Sequence, residues 1–354
     1  MKEILESIIE LIRRGEQAAV SSIVSASGSL PMSRRSKMLT MPDGSQQGTV
    51  GGGCLEADVH AMGRKVIATG EAAWGRFTLT ESQAGAEGLN CGGTVEILTE
   101  PVGGLSGIAH AEIYRRTLAA LRANEETVLA TAVAAAPGTR IVGKGLVGWK
   151  GLRIGWGRLG GDENLTRFAV EEGLAILGQD RAVVVSASSG ERIFLETVSA
   201  PPTLYLFGGG HVSLAVARVA RTAGFRVVVI DDRPAFANRE RFPEADETHV
   251  LPMETAMSHL PVDRNTFIVA VTRGHQHDEP VIEQAIFTPA CYIGMIGSRR
   301  KVAILWERLK AKGATQEQLD RVHAPIGLSI GADTPGEIAV SIVAQLIAVR
   351  RSAR

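Results

Sequence analysis

The sequence predicts an α/β protein in which a C-terminal Rossmann-like domain, with a doubly wound parallel sheet, follows an N-terminal α+β or α/β domain. From Thr203 onward, short apolar segments alternate with helical patterns, which is typical of right-handed βαβ units. A glycine-rich turn follows the first of these segments. Upstream, the small-residue and proline stretch at 199–202 reads as a linker. We therefore expect domains at 1–199 and 200–354.

The composition narrows the classes of partner. The chain has 354 residues, with 38 basic and 38 acidic side chains and a formal net charge of zero. This balance creates no field that would recruit nucleic acid or an anionic membrane, so we expect neither partner. Residues 1–17 form an amphipathic pattern, and no apolar run approaches the roughly 18 residues that a membrane span needs. We expect a cytoplasmic protein.

The upstream half mixes both kinds of periodicity. An amphipathic helix opens the chain, and helical patterns recur at 55–68, 107–123 and 163–177. Strand-like segments rich in β-branched residues lie at 18–24, 94–100, 127–133, 182–188 and 192–198. This mixture is the basis for an α+β or α/β first domain.

The first domain contains two cysteines that lie in glycine-rich loops, and these are its main candidates for chemistry. The first follows three glycines that expose backbone amides: Gly51, Gly52, Gly53 and Cys54. Because Cys54 opens a predicted helix, the helix dipole favours its thiolate form. Cys91 lies in a second glycine turn, whereas Cys291 lies in an apolar strand and is expected in the core. Three cysteines in a reducing compartment are expected to be free thiols.

Downstream of the linker the elements alternate regularly. Strands are predicted at 203–207, 226–231, 266–271 and 291–295. Helices are predicted at 211–223, 278–287, 299–312 and 335–350, with a loop between 231 and 266. Parallel strands that alternate with helices place their ligand crevice at the carboxyl edge of the sheet.

The first strand leads into a Gly-x-Gly-x-x-Ser turn that ends at Ser213. In such turns glycine permits the tight bend and the approach of a phosphate to the backbone. The strand at 226–231 ends in two aspartates, at the distance where a carboxylate meets a ribose hydroxyl. The residues expected to hold the ligand here are Gly208, Gly209, Gly210, His211, Asp231 and Asp232.

Two further loops follow strands and are expected to face this turn. The first supplies Thr272, Arg273, Gly274 and His275, and the second supplies Gly297, Ser298 and Arg299. Three cations open the helix after the second loop, which a bound phosphate would explain and a solvated basic surface would explain equally well. The pattern favours hydrogen-bonding and helix-capping roles over metal binding for His275, His277 and Asp278. We therefore expect no structural metal.

Motifs across essentially the whole chain resemble the XdhC/CoxI family of xanthine dehydrogenase accessory proteins. The residues that carry the resemblance are, in order, GSLP at 28–31, KML at 37–39, DG at 43–44, GTVGGGCLE, NCGGTVEIL, LFGGGHV, VIDDRP, RFPEAD, TRGHQHDE, YIGMIGSRRK and HAPIGLSIGADTPGEIAVSI. Cys54, Glu56 and Cys91 match the family pattern position by position. Residues 32–36 depart from it, because they replace the arginine and glycine-containing turn that commonly follows Pro31 in the family.

The resemblance implies an accessory protein rather than a stand-alone enzyme. Its implied cofactor is the molybdenum cofactor, as molybdopterin or a dinucleotide form, with Cys54 and Cys91 as candidate contacts to molybdenum. Its implied partners are a cysteine desulfurase that supports sulfuration and the apoenzyme of a molybdenum hydroxylase that receives the cofactor. A homodimer is the default assembly for a protein of this size.

Three other functions remain open on the residues alone. An NAD(P)-dependent oxidoreductase would use the same glycine turn, but it gives no role to the two cysteine loops. A sulfurtransferase would carry a persulfide on Cys54 or Cys91. An interaction scaffold would leave the Rossmann fold empty.

Overall fold

A computed structural model describes residues 1–28, 36–78, 93–134, 139–148, 159 and 162–352, apart from the side chains of 104–109, 275 and 276. The chain divides into two compact units, Met1–Ala200 and Pro201–Arg354. In the described ranges, no helix combines the length and the apolar character that a membrane span requires.

Helices of unit 1 pack on antiparallel strands. The helices are α1 (Lys2–Arg14), α2 (Gly53–Thr69), α3 (Gly104–Arg122) and α4 (Glu163–Ile176). The strands are β1 (Ala18–Ser27), β2 (Lys37–Thr40), β3 (Gln46–Gly48), β4 (Ala73–Thr78), β5 (Thr94–Val102), β6 (Thr127–Ala134), β7 (Arg140–Gly148), β8 (Ala182–Ser186) and β9 (Arg192–Val198). They form two sheets, in the orders β3-β2-β1-β5-β4 and β7-β6-β9-β8.

Two buried ion pairs join these sheets. Lys37 on β2 bonds Glu196 on β9 at 2.7 Å, and Lys144 on β7 bonds Glu100 on β5 at 2.8 Å. The Lys144 side chain is 1% exposed and that of Glu196 is 2% exposed. Because an unpaired buried charge is costly, each lysine requires its partner.

Unit 2 is a parallel sheet with helices. Its strands are β10 (Thr203–Phe207), β11 (Arg226–Asp231), β12 (Glu247–Val250), β13 (Thr266–Ala270), β14 (Tyr292–Met295) and β15 (Val322–His323). Its helices are α5 (His211–Thr222), α6 (His275–Ala285), α7 (Arg299–Ala311), α8 (Gln316–Asp320) and α9 (Pro335–Ser352), with a short 3-10 helix at Ala256–His259. The strand order β12-β11-β10-β13-β14-β15 reverses direction at β10, as in a doubly wound fold.

The predicted fold class is confirmed. In unit 2 the central strands β10 and β13 are buried along their whole length, which is why they read as continuous apolar runs. Strand β12 lies within the stretch that the sequence predicts as a loop. It was not predicted as a strand because it is a partly exposed edge strand with a polar sequence. Helix α6 begins at His275, three residues before the predicted start.

Candidate functional site

The turn after β10 packs directly against the end of β13. Gly208 has a φ of +104°, and a Cβ there would lie 2.5 Å from the Val271 carbonyl oxygen and 2.8 Å from the Thr272 Cα. Only glycine fits this position. The carboxyl ends of β10 and β13 are therefore in contact at the point where the strand order reverses.

Protein groups hold the next residue of the turn on both sides. The Gly209 amide donates to Asp231 Oδ2 at 2.7 Å, and Arg241 Nε donates to the Gly209 carbonyl at 2.8 Å. Gly210 differs, because a Cβ built there meets no atom within 4 Å. Space for a ligand thus lies beside Gly210 and the exposed His211, where helix α5 begins.

Asp231 is the buried anchor of this turn. Its carboxylate accepts from the Gly209 amide and from the amide, Nε and Nη2 of Arg233, at 2.7–3.0 Å. Burial alone would raise the pKa of Asp231, but the hydrogen bonds from Arg233 and Gly209 lower it to about 2. Asp231 is therefore a carboxylate at neutral pH, and protein donors surround it.

A side-chain bridge connects the ends of β11 and β13. Arg273 Nη2 donates to Asp232 Oδ2 at 2.9 Å, while Arg273 Nε donates to His277 Nε2 at 2.9 Å. Arg233 Nε lies 3.6 Å from Asp232 Oδ1. Because β10 lies between β11 and β13, the Arg273 side chain crosses the carboxyl end of β10.

A pocket of about 220 Å³ opens beside this bridge, between the loops that follow β13 and β14. Lys301 and Arg273 contribute cations to its wall, and Asp278 holds the loop through Thr272 Oγ1 at 2.7 Å. The complete lining is Thr272, Arg273, Gly274, Asp278, Met295, Ile296, Gly297, Lys301 and Leu305. The arrangement suits an anionic ligand that also has an apolar or aromatic part.

The second predicted loop leads directly into helix α7. Ser298 is its N-cap and accepts from the Lys301 amide at 3.4 Å. Arg299 is exposed at the first helical position. Both predicted loops of unit 2 therefore lie at the same edge of the sheet as the glycine turn.

In unit 1, the loop before α2 folds around Glu56. Its carboxylate accepts from the Thr49 hydroxyl and from the Val50 amide. The Thr49 hydroxyl contributes most to the lowered pKa of Glu56, with the amides of the loop adding to it. Gly52 is the helix N-cap at φ +78°, and the exposed Cys54 is the second residue of the helix. Glu56 thus organises the loop that presents Cys54.

Several predicted residues lie outside the described residues. Cys91 belongs to the segment 79–92, residues 32–35 of the divergent loop fall in 29–35, and the side chain of His275 is not described. In the ranges that are described, no three His, Cys, Asp or Glu side chains converge as a metal site. Ligand binding by the predicted residues stays a prediction.

Sequence reasoning missed two residues of the crevice, Arg233 and Arg241, and it noted the cation Lys301 without assigning it to the site. Arg233 was detectable, since it directly follows the aspartate pair in VIDDRP. Arg241 opens the RFPEAD motif, but no spacing connects it with Gly209, which it reaches from a loop far along the chain. In the sequence, Lys301 stands out only as one of three cations that open a helix.

The comparisons with known proteins agree with this fold. Residues 204–346 match the XdhC Rossmann domain, and residues 11–79 match the XdhC and CoxI family. The chain belongs to the XdhC and CoxI family. A crystal structure described as a xanthine dehydrogenase from Bacillus halodurans shares this family's fold over 100% of the chain and 96% of its own, with a TM-score of 0.79 and 25% identity.

Curated relatives of this family member are similar over shorter segments. YqeB of Escherichia coli, an uncharacterized protein, is 33% identical over 46% of the chain and 30% of its own length. A protein of Bacillus subtilis, named as a probable xanthine dehydrogenase subunit, is 33% identical over 45% of the chain and 46% of its own length. PaoD of E. coli, a molybdenum cofactor insertion chaperone, is 23% identical over 29% of the chain and 33% of its own length. Each match spans less than half of the relative.

Proposed function

We propose that this protein is an accessory factor that binds the molybdenum cofactor and delivers it to the apoenzyme of a xanthine dehydrogenase-type molybdenum hydroxylase. Family membership over parts of both units carries the proposal. The role of PaoD as a molybdenum cofactor insertion chaperone supports the same class of function. A cofactor chaperone needs a crevice for an anionic ligand and a soft donor for the metal, and the chain offers candidates for both.

The crevice of unit 2 has the chemistry that a pterin phosphate requires. Space lies beside Gly210 at the start of helix α5, and Arg273 and Lys301 supply positive charge at the pocket. Thr272 and Gly274 lie in the loop on one side of the pocket, with His275 at the start of helix α6. Gly297 and Ser298 lie in the loop on the other side, with Arg299 at the start of helix α7.

Unit 1 offers the soft donor. Cys54 is exposed at the start of α2, and Glu56 holds the preceding glycine loop in place. When the cofactor is bound, its molybdenum supplies a centre that prefers soft thiolate ligands. We propose Cys54, with Cys91, as the contacts to that metal. Sulfuration would then use a cysteine desulfurase as the sulfur source.

The glycine turn also favours a second candidate function, an NAD(P)-dependent oxidoreductase. This alternative leaves the loop of Cys54 and Glu56 without a role. A persulfide-carrying sulfurtransferase would use Cys54 without the crevice. The expected homodimer and cytoplasmic location stay predictions, which light scattering and cell fractionation test directly.

Analysis of the ligand that copurifies with the full chain tests the proposal. Protein coexpressed with the cofactor pathway should release a pterin that oxidation converts to a fluorescent derivative, and it should activate an apo molybdenum hydroxylase. Gly210→Leu should reduce the bound pterin by about tenfold or more, because its side chain fills the ligand space.

Gly148→Leu is the matched control for this substitution. Gly148 also has open space around its Cβ position, but it lies at the end of β7 in unit 1. The control should retain the pterin. Protein that carries NAD(P) and no pterin would refute the chaperone function.

A further inference from the structure

We propose that the crevice of unit 2 selects a phosphate monoester, which Arg273 binds by leaving Asp232, and that Asp231 positions the glycine turn instead of holding a ribose. This inference rests on the proposed function in that it concerns the same crevice. It adds the chemical class that the crevice recognises and the residue that discriminates. The two aspartates at the end of β11 are the first observation that supports it.

The acceptor capacity of Asp231 is already used. An ionised carboxylate offers about four lone-pair positions. Four protein N–H groups occupy them: one from Gly209 and three from Arg233. A ribose hydroxyl would have to displace one of these donors, each of which holds the turn or its neighbour. Asp231 therefore acts on the ligand through the Gly209 backbone, as a positioning residue.

Asp232 is the more accessible of the two carboxylates, but it lies among cations. Its side chain is 30% exposed, with Arg273 at 2.9 Å and Arg233 at 3.6 Å. A ribose diol would have to share Asp232 with these guanidinium groups, and as a neutral group it brings no charge that could replace the carboxylate. A phosphate brings acceptor oxygens and negative charge, which guanidinium groups bind in a bidentate, charge-assisted manner.

Arg273 is placed to make the exchange. Its side chain is 44% exposed and crosses the end of β10, the strand that leads into the glycine turn. An ion pair this exposed contributes little stability, so replacing Asp232 by a phosphate costs little. Arg273 also lines the 220 Å³ pocket, where the remainder of the ligand has room. Arg273 thus joins the phosphate position to that pocket.

One titration series on the full chain distinguishes a nucleotide phosphate from a pterin phosphate. The probes are NADP+, which carries a 2′-phosphate, NAD+, which lacks it, and molybdopterin released from a molybdenum enzyme. At low salt, at least one phosphate monoester should bind, and wherever a dinucleotide binds, NADP+ should bind more tightly than NAD+. Arg273→Gln should weaken that binding by about tenfold to a hundredfold.

Arg221→Gln is the matched control. Arg221 forms a similarly exposed pair with Asp246 at the far end of helix α5, so this variant loses the same charge without touching the crevice. Its affinity for the probes should equal that of the wild type. Equal losses in both variants would reduce the effect of Arg273 to net charge and overturn the inference.

Asp232→Asn should change the affinity for the phosphate monoester in the opposite direction to Arg273→Gln. Removing the carboxylate that competes for Arg273 should raise the affinity for the phosphate monoester several-fold. A carboxylate that held the ribose 2′-hydroxyl would lower the affinity for NAD+ when neutralised, because NAD+ carries that hydroxyl and NADP+ does not. A loss of affinity for any bound probe in Asp232→Asn, measurable binding of NAD+ that equals or exceeds that of NADP+, or binding of none of the three probes would overturn the inference.

The two proposals fail separately. Pterin that copurifies with the protein but ignores Arg273→Gln and Asp232→Asn would leave the chaperone function standing and remove the phosphate assignment. NADP+ that binds through Arg273, in a protein that carries no pterin and activates no hydroxylase, would do the reverse.

Discussion

The two units place their charged groups in opposite parts of the fold. In unit 2 the central strand β10 is apolar from Leu204 to Phe207, and the charges gather beyond the strand ends, at Asp231, Asp232 and Arg273. In unit 1 the charges of Lys144 and its partner are buried between two sheets. Charge at a strand end can reach a ligand, whereas charge in a core mainly specifies how the sheets pack.

The largest expected effect is the loss of one partner from a buried pair. Lys144→Met leaves the Glu100 carboxylate in the interior without its cation and should lower the stability of unit 1 by about 3 to 5 kcal/mol. Hydrogen exchange measured by mass spectrometry on peptides of β5 and β6 reports this loss. The double variant Lys144→Met/Glu100→Met should recover most of it, because no unpaired charge remains. A double variant as unstable as the single one would contradict this explanation.

His110, on helix α3, should make unit 1 sensitive to acid. Burial lowers its pKa to about 4, and the nearby charge of Lys144 contributes. Below the ordinary pKa of about 6.5, His110 is protonated in the unfolded chain but stays neutral in the folded unit. The free energy of unfolding therefore falls by up to about 3 kcal/mol as the pH drops towards 4. In His110→Gln this part of the loss should disappear. Stability profiles of the two proteins that stay parallel between pH 7 and 4.5 would show that His110 is not responsible.

Asp231 should give unit 2 a dependence in a lower pH range. Because its folded pKa is lowered to about 2, it contributes about 2 kcal/mol that is present above pH 4 and is lost as the pH falls towards 2. Asp231→Asn should therefore be destabilised by this amount at pH 7, with a difference from wild type that shrinks in acid. Urea unfolding followed by hydrogen exchange on peptides of β10 and β11 measures it. A difference in stability between Asp231→Asn and wild type that stays constant from pH 7 to pH 3 would show that the charge of Asp231 is not its cause.

The smallest effect is expected for an exposed pair. Arg221 bonds Asp246 in unit 2, with the arginine side chain 53% exposed. Arg221→Gln should cost less than about 1 kcal/mol, because solvent already screens the pair. The same hydrogen-exchange measurement on β11 peptides tests it. A loss as large as that of Asp231→Asn would show that surface charge matters as much as buried charge in this unit.

The sequence predicted unit 2 more closely than unit 1, for a physical reason. Strands such as β10 and β11 are buried on both faces, so an uninterrupted apolar run marks their bounds. The strand segments of unit 1 were recognised in part, but β2 and β7 carry the buried lysines, whose polarity disguises a core strand. The ion pair between β2 and β9 depends on tertiary structure that no local pattern contains.

The candidate site was predictable in its position but not in its hydrogen bonds. The glycine turn and the aspartate pair were located because each lies at the end of an apolar strand. That Arg233 saturates Asp231 depends on one side-chain conformation, which spacing does not reveal. The reach of Arg273 to Asp232 likewise depends on the order of the strands in the sheet.

The two bonds that clamp Gly209 also bear on the speed of ligand capture. Asp231 and Arg241 hold this peptide from both sides, so the turn is ordered before a ligand arrives. Binding then loses little conformational entropy at the backbone, and preorganisation of this kind strengthens it. Since no folding of the turn has to precede contact, association should approach the rate of a rigid site. The lifetime of the complex would then depend on how often the Arg273 guanidinium leaves the phosphate and returns to Asp232.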